Sequence, residues 1–389
     1  MTVAPTKNTD NPLSDLLTNA AEEMDLPPEM RSVLHGIYRR AETHLRENLS
    51  EHTNWQVYPQ GSVRLGTVVR PSNKADYDLD VVVRSSKTKD QLTQAELKGE
   101  VGDVIKSFAK AEASGDTPPT ACDEGGRCWT IGYPGVHVDW LPAIGDPDAR
   151  QDSGILLTDR NLTRWQVGDP KAYSDWFQQQ QIMSEVMLRK GALAAAANVD
   201  IEEIPDDDVR TTLHRLVQVL KIHRNEMFAT DLKRQPPSII ITHLAALSYS
   251  GGNLIDELAN AADRLPTFMK NQAGLWVLEN PMQPKENFAD RWTDAHQAKF
   301  LTWIERLQRD LDDLDHLPAG MQHMVMRLGE SFGVDTITKA ATRFGQASAT
   351  AGIAGVTTTG LVTTRPATKA NPRTDLRPHD FHGGRAPQR

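Results

Sequence analysis

Three groups of residues within the first 140 positions could do chemistry together. The first is Gly61-Ser62, in the run Gln60-Gly61-Ser62-Val63-Arg64-Leu65-Gly66-Thr67. A glycine before a serine, just after a predicted strand, lets the backbone turn close to a phosphate, and Ser62 then offers both its hydroxyl and its N–H. The second is Asp78-Leu79-Asp80, leading into Val81, Val82 and Val83. Strand side chains alternate between faces, so both carboxylates point the same way. They repel unless a cation sits between them, and hard oxygen ligands suit Mg²⁺ or Mn²⁺. The third is Asp139, a lone carboxylate in the otherwise apolar run Val136 to Pro142. Burying it without a partner is costly, and a metal shared with Asp78 and Asp80 supplies one. Each feature alone has a plain explanation: Gly-Ser is common, Asp-x-Asp is more often a solvated turn, and a strand aspartate is more often a hydrogen-bonded structural residue. Their order, spacing and strand settings together point to a metal-dependent centre.

These residues need a sheet to position them. Segments 55–58, 79–84, 128–133 and 136–141 read as strands, with Pro134-Gly135 as the turn between the last two. Before them, Val33, Leu34, Ile37, Ala41, Leu45 and Leu49 recur at helical spacing over 28–50, behind Pro27 and Pro28. The stretch to about residue 155 is therefore α/β in character. Beyond it, 171–197, 208–228, 238–248, 253–263 and 293–315 read as helices, with no strand pattern of any length. The expected fold class is α+β: a mixed sheet flanked by helices, packed on an all-helical C-terminal lobe. The boundaries are 1–155 for the catalytic lobe with its N-terminal helix, 156–334 for the helical lobe, and 335–389 for a flexible tail rich in Thr, Ala, Gly, Pro and Arg.

Bulk composition narrows the partners. With 389 residues, 39% hydrophobic and 24% charged, the chain suits two packed lobes of a soluble globular protein. No apolar run approaches the roughly 18 residues of a spanning helix, and Met1 to Asp10 lacks an apolar signal region, so no membrane partner is expected. Two cysteines fit a reducing bacterial cytoplasm. The net charge of −9 disfavours a protein that covers many phosphates of duplex DNA, while one positive pocket for a small anion stays compatible with it.

The chain resembles the DNA polymerase β-like nucleotidyltransferases, and among them the bacterial CD-NTase family, relatives of cyclic GMP-AMP synthase and oligoadenylate synthase. The resemblance rests on Tyr58 to Thr67, Asp76 to Val83 and Val138-Asp139. It continues in Asp169 to Phe177, Leu216 to Lys221, Pro236-Pro237-Ser238 and the Asn-Pro box, Asn280 to Ala289. It implies a nucleotidyltransferase lobe on a helical lobe that completes the nucleotide pocket. The implied reaction condenses nucleoside triphosphates (ATP and possibly GTP, CTP or UTP) into a cyclic di- or trinucleotide messenger of anti-phage defence. A ribose hydroxyl attacks an α-phosphorus and pyrophosphate leaves. Asp78, Asp80 and Asp139 would be catalytic and hold two Mg²⁺ or Mn²⁺ ions. Gln60, Gly61, Ser62, Lys221 and Ser238 would bind nucleotide, with Lys221 on the triphosphate and Ser238 capping a helix that faces it. A regulatory or ligase-like partner protein from the same defence operon is also implied. Alternatives are a relative that adds nucleotides to an RNA end or a protein, or a non-catalytic nucleotide-binding module.

The remaining candidates read more plainly. Cys122 and Cys128 flank a hairpin turn and lack the ligands to complete a zinc site. His214 and His223 fall at the edge of a helical core, and Trp165, Trp176, Trp276, Trp292 and Trp303 pack between helices. Tyr77 is no better placed than other aromatics to stack a base. Gly383-Gly384 near the end raises the question of conjugation, although five residues follow it.

Overall fold

A computed structural model describes residues 12–49, 53–70, 76–159, 161–181, 210–315 and 321–350, with two-residue strands at 355–356 and 362–363. Its centre is a mixed sheet. Strands β1 (Trp55–Gln60), β2 (Tyr77–Ser85), β3 (Ala121–Glu124), β4 (Trp129–Tyr133) and β5 (Val136–Gly145) lie in the order β1-β2-β5-β4-β3. β2 and β5 run parallel, while β1 pairs with β2 and β4 with β5 antiparallel. Gly135, at φ 78°, makes the tight turn into β5. Two short strands, β6 (Ile155–Leu157) and β7 (Gln166–Gly168), extend the sheet from the far end of β5.

Alternation sets the two faces. Leu79, Val81, Val83, Val138 and Trp140 are fully buried on one side. There they meet helices α2 (Pro28–Asn48) and α4 (Gln94–Glu112) in a single core. Leu34, Ile37, Tyr38, Ala41 and Leu45 form the apolar stripe of α2. A reciprocal Thr93–Glu96 capping box starts α4. The opposite face of β2 and β5 carries Asp78, Asp80 and Asp139 and opens towards the second lobe. Between β1 and β2, the four-residue helix α3 (Gly61–Arg64) replaces the expected plain turn.

The second lobe is a helical bundle of α5 (Pro170–Gln180), α6 (Thr212–Met227), α7 (Ser238–Ser248), α8 (Leu254–Phe268), α9 (Asp294–Asp315) and α10 (Met321–Phe332). Phe177, Leu216, Leu220, Ile241, Leu244, Leu258, Phe300 and Trp303 are fully buried in its core. The part of the expected 171–197 helix beyond residue 181 lies outside the described residues. Two strands, Lys270–Gln272 and Leu275–Val277, form a small hairpin, so the lobe is not all-helical. None of the helices described is long and apolar enough to cross a membrane.

Both ends of the chain depart from the expected boundaries. Helix α1 (Pro12–Glu23) packs into the helical lobe rather than the catalytic one, through Leu13, Leu16, Leu17, Ala20 and Ala21. Helix α11 (Val334–Thr350) packs along α1, burying Ile337 and Ala340, so the ordered lobe reaches well past residue 334. Its apolar side is built largely from small residues and joins the same core as Ala20 and Ala21 of α1. Arg343 adds ion pairs to Glu22 and Glu23. The tail beyond residue 350, including Gly383-Gly384, lies outside the described residues apart from those two short strands.

One fully buried amide ties the chain start to the sheet lobe. Gln218 donates from Nε2 to Asp25 Oδ1 (2.7 Å) and to the Val68 carbonyl (2.8 Å), and its Oε1 accepts from Arg215 (2.9 Å). Gln218→Leu strands these partners. It is expected to cost about 1–3 kcal/mol, read as a lower urea midpoint at unchanged m-value.

Candidate active site

The strand register builds the site. Gln60 pairs with Asp80, Asp80 with Asp139 and Asp139 with Thr130, so four strands contribute one row on the open face. Asp78 lies two residues before Asp80 and therefore on that same face. One carboxylate oxygen from each of Asp78, Asp80 and Asp139 falls within a set spanning no more than 4.8 Å. Thr130 Oγ1 donates to Asp139 Oδ1 at 2.5 Å, so Asp139 has a protein partner of its own.

The electrostatics show a site that wants a cation. Burial, then the charge of Asp139, raises Asp78 to about 6, with His137 opposing. Burial, then Asp78 and Asp139, raises Asp80 to about 8. No lysine or arginine forms an ion pair with these carboxylates among the described residues. Three clustered oxygens from hard ligands, short of positive charge, fit a divalent ion such as Mg²⁺ or Mn²⁺.

Gly61 has to be glycine. Its φ is 65°, and a Cβ there would lie 2.4 Å from Asp80 Oδ2. Past it, Ser62 faces a cavity of about 290 Å³ that is also lined by Thr67, Asp78, Asp80, Lys221 and Ser238. Lys221, predicted to meet phosphate, is buried at this cavity, where its Nζ donates to Thr67 O (2.8 Å) and Thr67 Oγ1 (3.1 Å). Burial, then the nearby Arg224, lowers Lys221 to about 7. Ser238 lines the same cavity but does not cap its helix: Pro237 occupies the cap position and Ser238 the first turn. Arg224 holds this corner, donating to Pro236 O (2.6 Å) and more distantly to Ser238 Oγ (3.4 Å).

A larger cavity of about 1010 Å³ opens on the other side of the carboxylates, at the upper end of small-molecule sites. Gln60 lines this cavity rather than the smaller one. Its walls come from both lobes. Arg127 belongs to the β3–β4 turn, which Lys98 holds by donating to Gly125 O and Gly126 O. Glu286 belongs to the Asn-Pro box. There Asn280 is buried; its Oδ1 accepts from Met282 N (2.9 Å) and its Nδ2 donates to Glu286 Oε2 (2.7 Å). Gln283 of the box reaches Asp146 of the sheet lobe at 3.1 Å. Burial raises Glu286 to about 7, while Asn280 and Arg127 favour its charged form. Sequence reasoning assigned no role to Thr130, Arg224, Arg127 or Glu286.

One of the plainer expectations also changes. His223 is core rather than core edge, accepting from Trp303 Nε1 (2.8 Å) while its Nε2 pairs with Asp310 (3.0 Å). Tyr77 is buried in the sheet core. Cys122 and Cys128 are free thiols at the two sides of the β3–β4 hairpin.

Two outcomes follow for the metal-free chain. A proton held on Asp80 up to about pH 8 must leave when a cation binds. Calorimetry with Mn²⁺ in buffers of different ionisation enthalpy should show proton release at pH 7 and affinity rising from pH 6 to 8; Asp80→Asn should lose both. Gly61→Ala should weaken Mn²⁺ binding about tenfold or more, for a stability cost of only about 1–2 kcal/mol from its left-handed backbone.

The comparisons with known proteins agree with this geometry. The chain matches no family model. It is 29% identical to a c-di-GMP synthase of Roseivirga ehrenbergii over 345 residues, covering 86% of this chain and 88% of that one. It is 23% identical to the cyclic dinucleotide synthase CdnG of Bradyrhizobium diazoefficiens, covering 86% and 84%. Among solved structures, CdnG of that organism in complex with GTP superposes with a TM-score of 0.67 at 22% identity, over 86% of this chain and all of that one. The chain therefore has the fold of the CD-NTase CdnG and is similar over most of its length to cyclic dinucleotide synthases, with three clustered aspartates at the centre of that fold.

Proposed function

We propose that this chain condenses GTP, alone or with a second nucleotide, into a cyclic dinucleotide signal of anti-phage defence. The observation that carries the reading is the carboxylate row Asp78, Asp80 and Asp139 standing between two cavities. The smaller has the groups for a triphosphate and the larger has room for an acceptor nucleotide. GTP comes from the relatives: one is named a c-di-GMP synthase, and CdnG has been solved with GTP.

Each residue then has a task. The Gly61-Ser62 turn brings backbone N–H and hydroxyl donors against the β- and γ-phosphates. Lys221 supplies a desolvated cation from the facing helix, and Ser238 a hydroxyl held by Arg224. Asp78, Asp80 and Asp139 would hold two Mg²⁺ ions, which when bound offset phosphate charge and acidify the attacking ribose hydroxyl. Thr130 holds the rotamer of Asp139 through Oδ1, with the Cys128 thiol also beside that carboxylate. In-line attack forms the new oxygen–phosphorus bond at the α-phosphate and breaks the bond to pyrophosphate. A second round on the triphosphate of the linear product closes the ring.

Triphosphate binding should also draw a proton onto Lys221. This lysine sits near 7 without ligand and is held charged by phosphate. Nucleotide affinity should therefore fall as pH rises above about 7, and Lys221→Met should flatten that dependence along with weakening binding.

The deciding experiment incubates the full chain with all four ribonucleoside triphosphates and Mg²⁺ or Mn²⁺, followed by phosphatase, chromatography and mass spectrometry. The expected result is a phosphatase-resistant cyclic dinucleotide containing guanine, absent from the Asp78→Ala/Asp80→Ala variant. Extension of an added RNA, with no small cyclic product, would overturn it. The same assay run with operon-encoded neighbours tests whether a regulatory partner raises the rate.

A further inference from the structure

The larger cavity holds two charged groups with hydrogen-bonding capacity left over, one from each lobe. Glu286 is anchored through a single oxygen: Asn280 Nδ2 donates to Oε2, and Oε1 accepts from none of the described residues. Its carboxylate lies against β7, 3.7–3.9 Å from the place where a side chain on Gly168 would begin. Arg127 spends Nη2 on Gln166 at 3.2 Å and its Nε is buried, which leaves Nη1 as the nitrogen with no acceptor among the described residues that the cavity can reach. Thr158 Oγ1 donates to the Arg127 carbonyl at 3.2 Å, fixing the backbone that carries it. Arg127 and Glu286 both line this cavity, from different lobes, and form no direct ion pair among the described residues, which leaves a gap between them. An acceptor and a donor with capacity left over in one cavity suit a ligand that can satisfy both.

We propose that Glu286 and Arg127 read a guanine base across this gap, Glu286 accepting from N1–H and N2–H and Arg127 donating to O6. The inference rests on the GTP-based function above and extends it to the residues that choose the base. Guanine alone among the four bases offers two adjacent donors beside an acceptor. Adenine and cytosine set a ring acceptor next to their amino group, which would face the carboxylate lone pairs, and uracil has one donor between two carbonyls. Because the two residues come from different lobes, a bound guanine also completes the interlobe cavity.

The test compares GTP with ITP, which keeps O6 and N1–H but lacks the 2-amino group, and with N1-methyl-GTP. It uses the full chain and the variants Glu286→Gln and Arg127→Met. For the unaltered chain, kcat/KM should be at least about tenfold higher for GTP than for either analogue, the scale of one lost hydrogen bond to a charged group. Glu286→Gln should lower turnover of GTP more than of ITP and so narrow their ratio. Arg127→Met should lower both alike and leave the ratio standing, since both carry O6. Equal use of ITP and GTP by the unaltered chain would overturn the proposal without any variant, as would an unchanged ratio in a Glu286→Gln protein that melts and binds Mn²⁺ normally. A chain that makes its cyclic product from other bases fails the GTP reading itself, on the product assay, and the base-reading pair falls with it.

Discussion

Asp80 and Asp139 face each other across one parallel strand pair, and the structure is organised around keeping them there. Like charges at this distance, with Asp78 beside them, push the strands apart and hold protons against the usual carboxylate preference. What resists is the other face of the same strands. Leu79, Val81, Val83, Val138 and Trp140 alternate with the carboxylates and are fully buried against α2 and α4. A slip of one residue would carry the acids into that core and the valines into the cleft, so register is strongly specified. The electrostatic cost of clustering acids on one face is thus offset by packing on the other.

The second lobe supplies what the first lacks. The sheet presents acidic groups, while the facing helices bring Lys221 and Arg224, both buried and both lowered by that burial, Lys221 to about 7 and Arg224 to about 10. The acidic floor and the basic wall, each costly alone, set opposite charges across one cavity. The net charge of −9 gives no hint of this division, because it sums a local separation that exists only once α6 lies over the sheet.

How far the site was legible depended on whether its parts are neighbours in the chain. Asp78 and Asp80 could be placed on one face by alternation, and Asp139 stood out as an acid in an apolar strand. Lys221 and Ser238 came only through resemblance, since a lysine on an amphipathic helix and a serine after two prolines have ordinary explanations. Even so, Ser238 falls in the first turn of its helix, with Pro237 at the cap. Glu286 and Arg127 could not be read at all: 159 positions separate them, and their relation exists only in the cavity between the lobes. The same reason hid His223, whose partners Trp303 and Asp310 lie on a later helix, and α11, whose amphipathic side finds its partner in α1, about three hundred residues earlier in the chain.

The smaller cavity belongs to both lobes in a specific mechanical sense. The segment after α3 is gripped at consecutive residues by one helix: Lys221 takes the Thr67 carbonyl and Gln218 the Val68 carbonyl. Gln218 and Arg215 in turn hold Asp25, just past the end of α1, and Arg343 of α11 holds Glu22 and Glu23 within it. One turn of α6 therefore sets both the lysine at the smaller cavity and the backbone beneath it, and its own position is braced by the first and last helices described. A side chain that only bound phosphate could be exposed and mobile. Lys221 is buried and tied to the backbone it must work beside, so the cost of ordering it is met during folding rather than at binding, as preorganised electrostatic sites require.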